Sequence, residues 1–243
     1  MGKPTLVLLH GVGLDRTMWE PVAALLADRF TVRALDLPGH GARPPVGARA
    51  TLAELAEGVA AGVPAGAHLV GFSLGALVAQ HLALHRPELA ATLTSVSSVC
   101  KRTEDERAAV RTRLHLAETD FAASTAASLE RWYAGTDVPP GTVRRTEATL
   151  RANDPGSFLA CYRVFATADA ELGPRLGEIA SPALAVTGAD DPGSTPAMAR
   201  RLAAALPSCR AVVVPGARHM LPVERPAALV EALTSFIGES AHA

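Results

Sequence analysis

The chain has 243 residues, of which 49% are hydrophobic and 19% are charged, and its formal net charge is −1. This length suits one domain, or a domain with an insertion, that buries a large core. The near-neutral charge excludes a molecule that is drawn as a whole to nucleic acid or to an anionic membrane, so we expect a small molecule as the ligand.

The cysteines and the first residues of the chain bear on its location. Cys100, Cys161 and Cys209 are odd in number, far apart and outside any C-x-x-C motif, so neither a disulfide framework nor a zinc site is predicted. The chain enters the apolar run Thr5–Leu9 without the features of a signal peptide, and no apolar run reaches the roughly 18 residues of a membrane span. We expect a cytoplasmic protein without membrane contact.

Short apolar runs alternate with helix-like segments along the chain. The runs predict strands at Thr5–Leu9, Thr31–Leu35, His68–Val70, Leu93–Val99, Ala183–Val186 and Ala211–Val214. The helix-like segments are Trp19–Ala27, Thr51–Val63, Gly75–His85, Ala197–Leu206 and Arg225–Ile237. Such alternation predicts an α/β fold, in which a parallel sheet is covered by helices on both faces.

This alternation breaks between Cys100 and about Leu176, where the charge rises. Three apolar stripes at helical spacing lie in the interval: Val110, Leu114 and Ala117; Phe121, Thr125, Leu129 and Trp132; Phe158, Cys161 or Tyr162, and Phe165. Asp120 is a candidate N-cap, Gly135 a candidate stop, and turns are predicted at Asp137–Gly141 and Asn153–Gly156. We predict a helical cap over residues 100–176 and a core domain formed by residues 1–99 and 177–243.

The segment Gly71-Phe72-Ser73-Leu74-Gly75 forms a G-x-S-x-G motif between a strand-like and a helix-like run. The pattern alone arises by chance in roughly one chain in ten of this length, so the flanking elements carry much of the weight. A sharp reversal from strand to helix needs small neighbours and projects the serine hydroxyl from the turn. We therefore predict that Ser73 is a nucleophile; an ordinary glycine-rich turn is the alternative.

A serine nucleophile needs a base, and the base needs an orienting acid. Asp190 and Asp191 follow the strand-like run Ala183–Val186, and His219 follows Ala211–Val214. The carboxyl ends of parallel strands form one edge of a sheet, where sites of α/β proteins lie. We predict His219 as the base and favour Asp191 over Asp190 as the acid from its distance to Gly188.

Further motifs extend this order of serine, acid and histidine. They are Leu9-His10-Gly11-Val12-Gly13, Asp36-Leu37-Pro38-Gly39-His40-Gly41, Gly188-x-x-Asp191 with Thr195-Pro196, and His219 with Glu224-Arg225-Pro226. On these motifs the whole chain resembles the α/β-hydrolase superfamily. The family sheet begins with two further strands, whereas Met1 lies just before what matches the third. We expect an α/β-hydrolase fold with about six mostly parallel strands, without that first pair, and a cap inserted after the sixth family strand.

The resemblance also implies roles for the backbone near Ser73. The N–H groups of Leu74 and Val12 are expected to form an oxyanion hole. No cofactor or metal is expected, because Gly11-Val12-Gly13 lacks the third glycine of a dinucleotide fingerprint.

We call the segment from Gly188 to Pro196, which contains Asp190 and Asp191, the acid loop. This loop and the stretch Glu130-Arg131-Trp132-Tyr133 resemble those of 3-oxoadipate enol-lactonases and related carboxylic ester hydrolases. This resemblance implies a small ester or lactone substrate, with a carboxylate as one expectation. Arg131 and Trp132 are candidate substrate contacts, with a solvated arginine and a packed tryptophan as alternatives. His40 is a candidate pocket residue or a turn-stabilising one.

Other functions share the same residues. Hydrolysis of the C–N bond of an activated amide or enamide, C–C hydrolysis of a ring-cleavage product, and perhydrolysis all use this triad, and a ligand receptor without turnover uses the same scaffold. The sequence leaves these open, as it does the choice between a monomer and a homodimer.

Overall fold

The computed structural model describes residues 2–240. The strands are β1 (Thr5–Leu9), β2 (Thr31–Leu35), β3 (Ala67–Phe72), β4 (Ala90–Val96), β5 (Ala183–Gly188) and β6 (Cys209–Val214). The helices are α1 (Glu20–Leu26), α2 (Leu52–Ala60), α3 (Leu74–His85), α4 (Glu104–Thr119), α5 (Phe121–Tyr133), α6 (Pro140–Arg151), α7 (Pro155–Leu172), α8 (Pro196–Ala205), α9 (Leu221–Glu224) and α10 (Pro226–Ser240). Short 3₁₀ helices lie at Arg16–Trp19, Pro87–Leu89 and Gly173–Glu178. No helix within these residues is long and apolar enough to cross a membrane.

The strands form one sheet in the order β2-β1-β3-β4-β5-β6, and each neighbouring pair is parallel. The central strands β1, β3, β4 and β5 are almost completely buried, as their apolar sequences require for a sheet covered on both faces. The predicted α/β architecture with about six parallel strands is confirmed. All six carboxyl ends point to one edge, so the loops after β1, β3, β5 and β6 meet there.

The fourth strand ends three residues earlier than predicted, at Val96 rather than Val99. Ser97 has a φ of +46°, which takes the chain out of the extended conformation. Its backbone N–H still donates to the carbonyl of Val186 on β5 (2.7 Å), and its hydroxyl donates to the carbonyl of His219 (3.0 Å). The turn at Ser97 therefore links the end of β4 to the loops after its neighbours.

Four helices, α4 to α7, separate β4 from β5, and we call them the cap. Asp120 is the N-cap of α5, with its carboxylate accepting from the N–H of Ala123, and Gly135 follows with a φ of +74°. The predicted turn at Asp137–Gly141 is wrong in its second half, because Pro140 begins α6. Proline suits this first helical position, since the N–H that it lacks would have no partner there.

A buried ion pair joins the cap to the end of β4. The guanidinium of Arg102 donates to the carboxylate of Asp169 on α7, and the two side chains are 1% and 4% exposed. Arg102 also donates to the carbonyl of Phe165 (3.1 Å) and lies over its ring, 4.8 Å from the centroid. The pair therefore fixes α7 relative to the chain that leaves the sheet.

Candidate active site

Ser73 lies at the turn between β3 and α3 with a φ of +52°, a conformation that costs energy for a residue with a side chain. A Cβ atom on Gly71 would lie 2.1 Å from the carbonyl oxygen of Gly75, and a Cβ on Gly75 would lie 2.3 Å from that of Leu9. The backbone N–H of Ser73 donates to the carbonyl of Val96 (3.0 Å). Both glycines of the motif are thus required by close packing, which holds the strained serine in place.

The acid loop after β5 directs one of its two aspartates to His219. Oδ2 of Asp191 lies 2.8 Å from Nδ1 of His219, and its Oδ1 accepts from the N–H groups of Gly193 (2.8 Å) and Ser194 (2.9 Å). Asp191 is 3% exposed, whereas Asp190 is exposed, and among residues 2–240 its backbone N–H donates to the carbonyl of Ala217 while its carboxylate accepts no hydrogen bond. The geometry therefore brings Asp191, and not Asp190, to the histidine.

His219 is held between aromatic rings on the wall of a cavity. Its ring stacks on Trp132 of α5, with centroids 5.7 Å apart and an interplanar angle of 24°, and lies 5.0 Å from the ring of Phe72. Ser73 lines the same cavity, although no hydrogen bond joins its hydroxyl to His219 within residues 2–240. Such a bond is often long in enzymes without substrate and shortens when substrate binds.

Two backbone N–H groups near Ser73 are available to an anion. Leu74 is the first residue of α3, so its N–H has no acceptor within the helix, and Val12 lies in the loop after β1 on the cavity wall. Neither N–H has an acceptor within residues 2–240. They are where an oxyanion hole is expected, and the positive end of the α3 dipole adds to the attraction.

The loop that carries Val12 is bonded to the cap. Nδ2 of Asn153, just after α6, donates to the carbonyl of Gly13 (2.8 Å) and also to those of Thr149 and Leu150. Gly13 has a φ of +73°, and a Cβ atom there would come within 2.7 Å of Phe158. The cap therefore contributes to the position of the Val12 N–H.

The cavity lies between the cap and the carboxyl edge of the sheet. Its apolar wall consists of Val12, Leu14, Phe72, Trp132, Leu150, Phe158, Tyr162 and Phe165. It is narrow, with a volume of about 50 Å³. The site as it stands suits a small ligand.

Arg131 and Trp132, the candidate substrate contacts, line this cavity, and so does Arg113 of α4, which sequence analysis missed. The available signal was spacing, because Arg113 lies three residues after Val110 and four before Ala117, on the same helix face. Burial lowers the pKa of the Arg131 guanidinium, and the charge of Arg113 lowers it further, while Tyr162 and Asp191 act in the opposite direction.

Of the two alternatives for His40, the pocket residue is wrong and the turn-stabilising one agrees with the structure, because this side chain does not line the cavity and is bonded within its own loop. It is 2% exposed, its ring lies 5.1 Å from that of His10, and its Nδ1 is bonded to the carbonyl of Pro38 (3.1 Å). His10 in turn accepts from the N–H of Leu37 at Nε2 (2.9 Å). Burial lowers the pKa of His10 to about 4 and that of His40 to about 3, so both rings are neutral at pH 7. The Asp36–Gly41 loop packs its histidine against His10.

Asp36 stabilises the loops beside the site rather than lining the cavity. Its carboxylate accepts from the backbone N–H groups of Arg16 (2.8 Å) and Ala42 (3.3 Å), so it satisfies backbone donors. In the part of the chain that the structure describes, no three His, Cys, Asp or Glu side chains come together as a metal site.

Comparison with known proteins identifies a family that this chain matches. Residues 6–232 match the model of the "Alpha/beta hydrolase family". A pimeloyl-[acyl-carrier protein] methyl ester esterase from Aeromonas hydrophila is 33% identical, over 97% of this chain and 96% of the relative. An (E)-2-((N-methylformamido)methylene)succinate hydrolase from Acinetobacter baylyi is 28% identical, over 97% and 90%.

A solved structure of a hydrolase is also similar to this chain. The crystal structure of the enol-lactonase from Burkholderia xenovorans superposes with a TM-score of 0.86 at 26% identity, and the match covers 98% of this chain and 92% of that one. The predicted resemblance to this superfamily, with enol-lactonase-like relatives, is confirmed. This chain belongs to the alpha/beta hydrolase family.

Proposed function

We propose that this hydrolase cleaves a small carboxylic ester or lactone through an acyl-enzyme formed on Ser73. The observation that carries the proposal is the pairing of Asp191 with His219 at 2.8 Å, on the wall of the cavity that also contains the strained serine. A buried acid on Nδ1 leaves Nε2 of the imidazole free to take a proton from a serine hydroxyl.

In this mechanism the oxygen of Ser73 attacks the substrate carbonyl carbon and its proton moves to Nε2 of His219. The N–H groups of Leu74 and Val12 bind the resulting oxyanion. When the tetrahedral intermediate collapses, the C–O bond of the ester breaks and His219 returns the proton to the leaving alkoxide. Water then attacks the acyl-enzyme by the same route, which releases the acid and restores Ser73.

The names of the relatives support ester or lactone chemistry, since one is a methyl ester esterase and another an enol-lactonase. The substrate named for the Acinetobacter relative contains an N-methylformamido group, which favours C–N hydrolysis as a second candidate for the same serine. In that reaction the group that receives the proton from His219 is a nitrogen rather than an oxygen.

The test is release of p-nitrophenol from p-nitrophenyl acetate and butyrate by the wild type, Ser73→Ala and Ser235→Ala. Ser235 is an exposed serine on α10 and serves as the matched control. We expect turnover in the wild type and in Ser235→Ala, loss of at least about 10³-fold in Ser73→Ala, and labelling of Ser73 by a serine-directed phosphonate. Full activity in Ser73→Ala would overturn the mechanism, and tight binding of small molecules without turnover or labelling would favour a receptor.

A further inference from the structure

Two arginines face the cavity without an acidic partner. Arg113 of α4 and Arg131 of α5 both line it, and neither forms a salt bridge within residues 2–240. The side chain of Arg131 donates to the hydroxyl of Ser128 (3.0 Å) and the carbonyl of Ala127 (3.3 Å), and the guanidinium of Arg113 donates no hydrogen bond within residues 2–240. The cavity therefore contains two guanidiniums with which no carboxylate of these residues forms a salt bridge.

Other arginines of the cap differ in pairing or in exposure. Arg151 is bonded to Glu147 (2.9 Å) and Arg163 to Glu118 (2.8 Å). Arg144 has no acidic partner among residues 2–240, but it is exposed, and water solvates an exposed guanidinium at little cost. Arg113 and Arg131 combine partial burial with the absence of a carboxylate, which is costly unless an anion binds.

The surroundings favour a carboxylate as that anion. The Asp191 carboxylate acts on Arg131 only through its charge, because its hydrogen bonds go to His219 and to two backbone N–H groups and it forms no salt bridge with either arginine within residues 2–240. The rest of the wall near Ser73 is mostly apolar and the space is small. A guanidinium offers two parallel N–H groups to the two oxygens of a carboxylate, and two guanidiniums on neighbouring helices can hold it from two sides.

We propose that the substrate carries a free carboxylate in addition to the bond that is cleaved, and that Arg113 and Arg131 bind this carboxylate. The proposal rests on the proposed function in taking this cavity as the place where the ester or lactone is cleaved. The substrate class is then half-esters or lactones of short dicarboxylic acids. The two arginines are specificity residues, and Ser73 with His219 carries out the chemistry.

Binding is measured first, on Ser73→Ala protein, so that turnover does not enter. Glutarate and its uncharged dimethyl ester are titrated by calorimetry and by the fluorescence of Trp132, which lines the cavity. We expect glutarate to bind at least tenfold more tightly than the dimethyl ester, and Arg113→Gln and Arg131→Gln to weaken glutarate binding at least tenfold. Arg144→Gln, the exposed control, is expected to bind glutarate like its parent.

Equal affinity for glutarate and its dimethyl ester would overturn the proposal, as would equal losses in Arg144→Gln and the two cavity variants. Thermal unfolding of each variant checks that it folds, and Arg113→Lys and Arg131→Lys retain the charge. We expect the lysine variants to bind glutarate more tightly than the glutamine variants but less tightly than their parent, because lysine lacks the bidentate fork.

The kinetic test compares kcat/KM for mono-p-nitrophenyl glutarate, which has a free carboxylate, with kcat/KM for methyl p-nitrophenyl glutarate, in which that carboxylate is esterified. Release of p-nitrophenol is measured for both. In the wild type the charged ester should be preferred, and this preference should fall at least tenfold in Arg113→Gln and Arg131→Gln but not in Arg144→Gln. Glutarate binding without hydrolysis of any ester would leave the carboxylate site standing and refute the proposed hydrolysis. Hydrolysis through Ser73 without any preference for the charged ester would refute only the carboxylate site.

Discussion

Asn153 on the cap donates a hydrogen bond from Nδ2 to the carbonyl oxygen of Gly13, at 2.8 Å, in the loop that carries Val12. Val12 directly precedes Gly13 in the chain, and its backbone N–H is the one proposed to bind an oxyanion. A side chain outside the sheet is therefore part of the support of the proposed oxyanion hole.

We expect Asn153→Ala to lower kcat by about tenfold, with a smaller change in KM. A loosened loop holds the Val12 N–H less well, and this N–H is proposed to bind charge that develops in the transition state rather than in the bound substrate. The measurement is steady-state hydrolysis of p-nitrophenyl butyrate. Thr146→Val is the control, since it removes hydrogen bonds within the cap, between the hydroxyls of Thr146 and Tyr133 and from Thr146 to the carbonyl of Thr142, and leaves Gly13 untouched. Equal kcat values for the two variants would contradict a positioning role for Asn153.

Adjacent aspartates in the acid loop allow a matched comparison. Asp191→Asn keeps an acceptor for the N–H groups of Gly193 and Ser194 but loses the charge that stabilises the His219 tautomer and cation. By the magnitude known for the equivalent change in a serine protease, we expect kcat to fall by about 10⁴-fold. Asp190→Asn is expected to change kcat less than threefold, because Asp190 is exposed and forms no hydrogen bond with His219 within residues 2–240. Similar losses in both variants would refute the assignment.

The buried Arg102–Asp169 pair predicts a stability difference. Asp169→Asn leaves the Arg102 guanidinium buried without a counter-charge, which should lower the free energy of unfolding by about 3 kcal/mol or more. Glu118→Gln removes the surface partner of Arg163 and should cost less than about 1 kcal/mol. Urea unfolding of the two variants and the wild type checks the prediction, and an equal, small cost for both would show that water reaches Arg102.

His40 predicts a pH dependence of stability. Burial and the neighbouring His10 lower its pKa from 6.5 to about 3, so between these values the unfolded state binds a proton that the folded state does not. The free energy of unfolding therefore falls as the pH falls below 6.5.

The corresponding variant is His40→Gln, which has no group that titrates in this range. Between pH 8 and pH 5 the free energy of unfolding should fall by about 2 kcal/mol less in this variant than in the wild type, as measured by urea unfolding at each pH. His115→Gln, on an exposed face of α4, is the control and should follow the wild type. An unchanged pH profile in His40→Gln would mean that His40 becomes protonated in the folded state.

The features predicted correctly from the sequence are those with local physical causes. Each predicted strand corresponds to an observed one, because buried parallel strands need continuous apolar runs, and Asp120 caps α5 because its carboxylate reaches the N–H of Ala123. The motif at Ser73 identified the elbow because Gly71 and Gly75 are required by contacts that any side chain would prevent.

The features that the sequence did not yield depend on tertiary contacts. Helix α6 was missed because Pro139-Pro140-Gly141 is typical of turns, and nothing local shows that Pro140 occupies the first position of a helix. Arg113 reaches the cavity only because α4 packs against α5 and α7. The sequence left two roles open for His40, and only the tertiary structure shows that the loop buries it against His10.

The cap is inserted between two strands that are neighbours in the sheet, with Leu93 of β4 paired to Ala183 of β5. The entropic cost of closing a loop grows only with the logarithm of its length, so a longer or shorter insert changes the stability of the sheet little. The serine, acid and histidine come from the sheet domain, and Arg113 and Arg131 from the insert. Replacing this one contiguous stretch of gene would therefore change the groups that face the cavity and keep Ser73, Asp191 and His219, but the new insert would again have to support the Val12 loop, as Asn153 does.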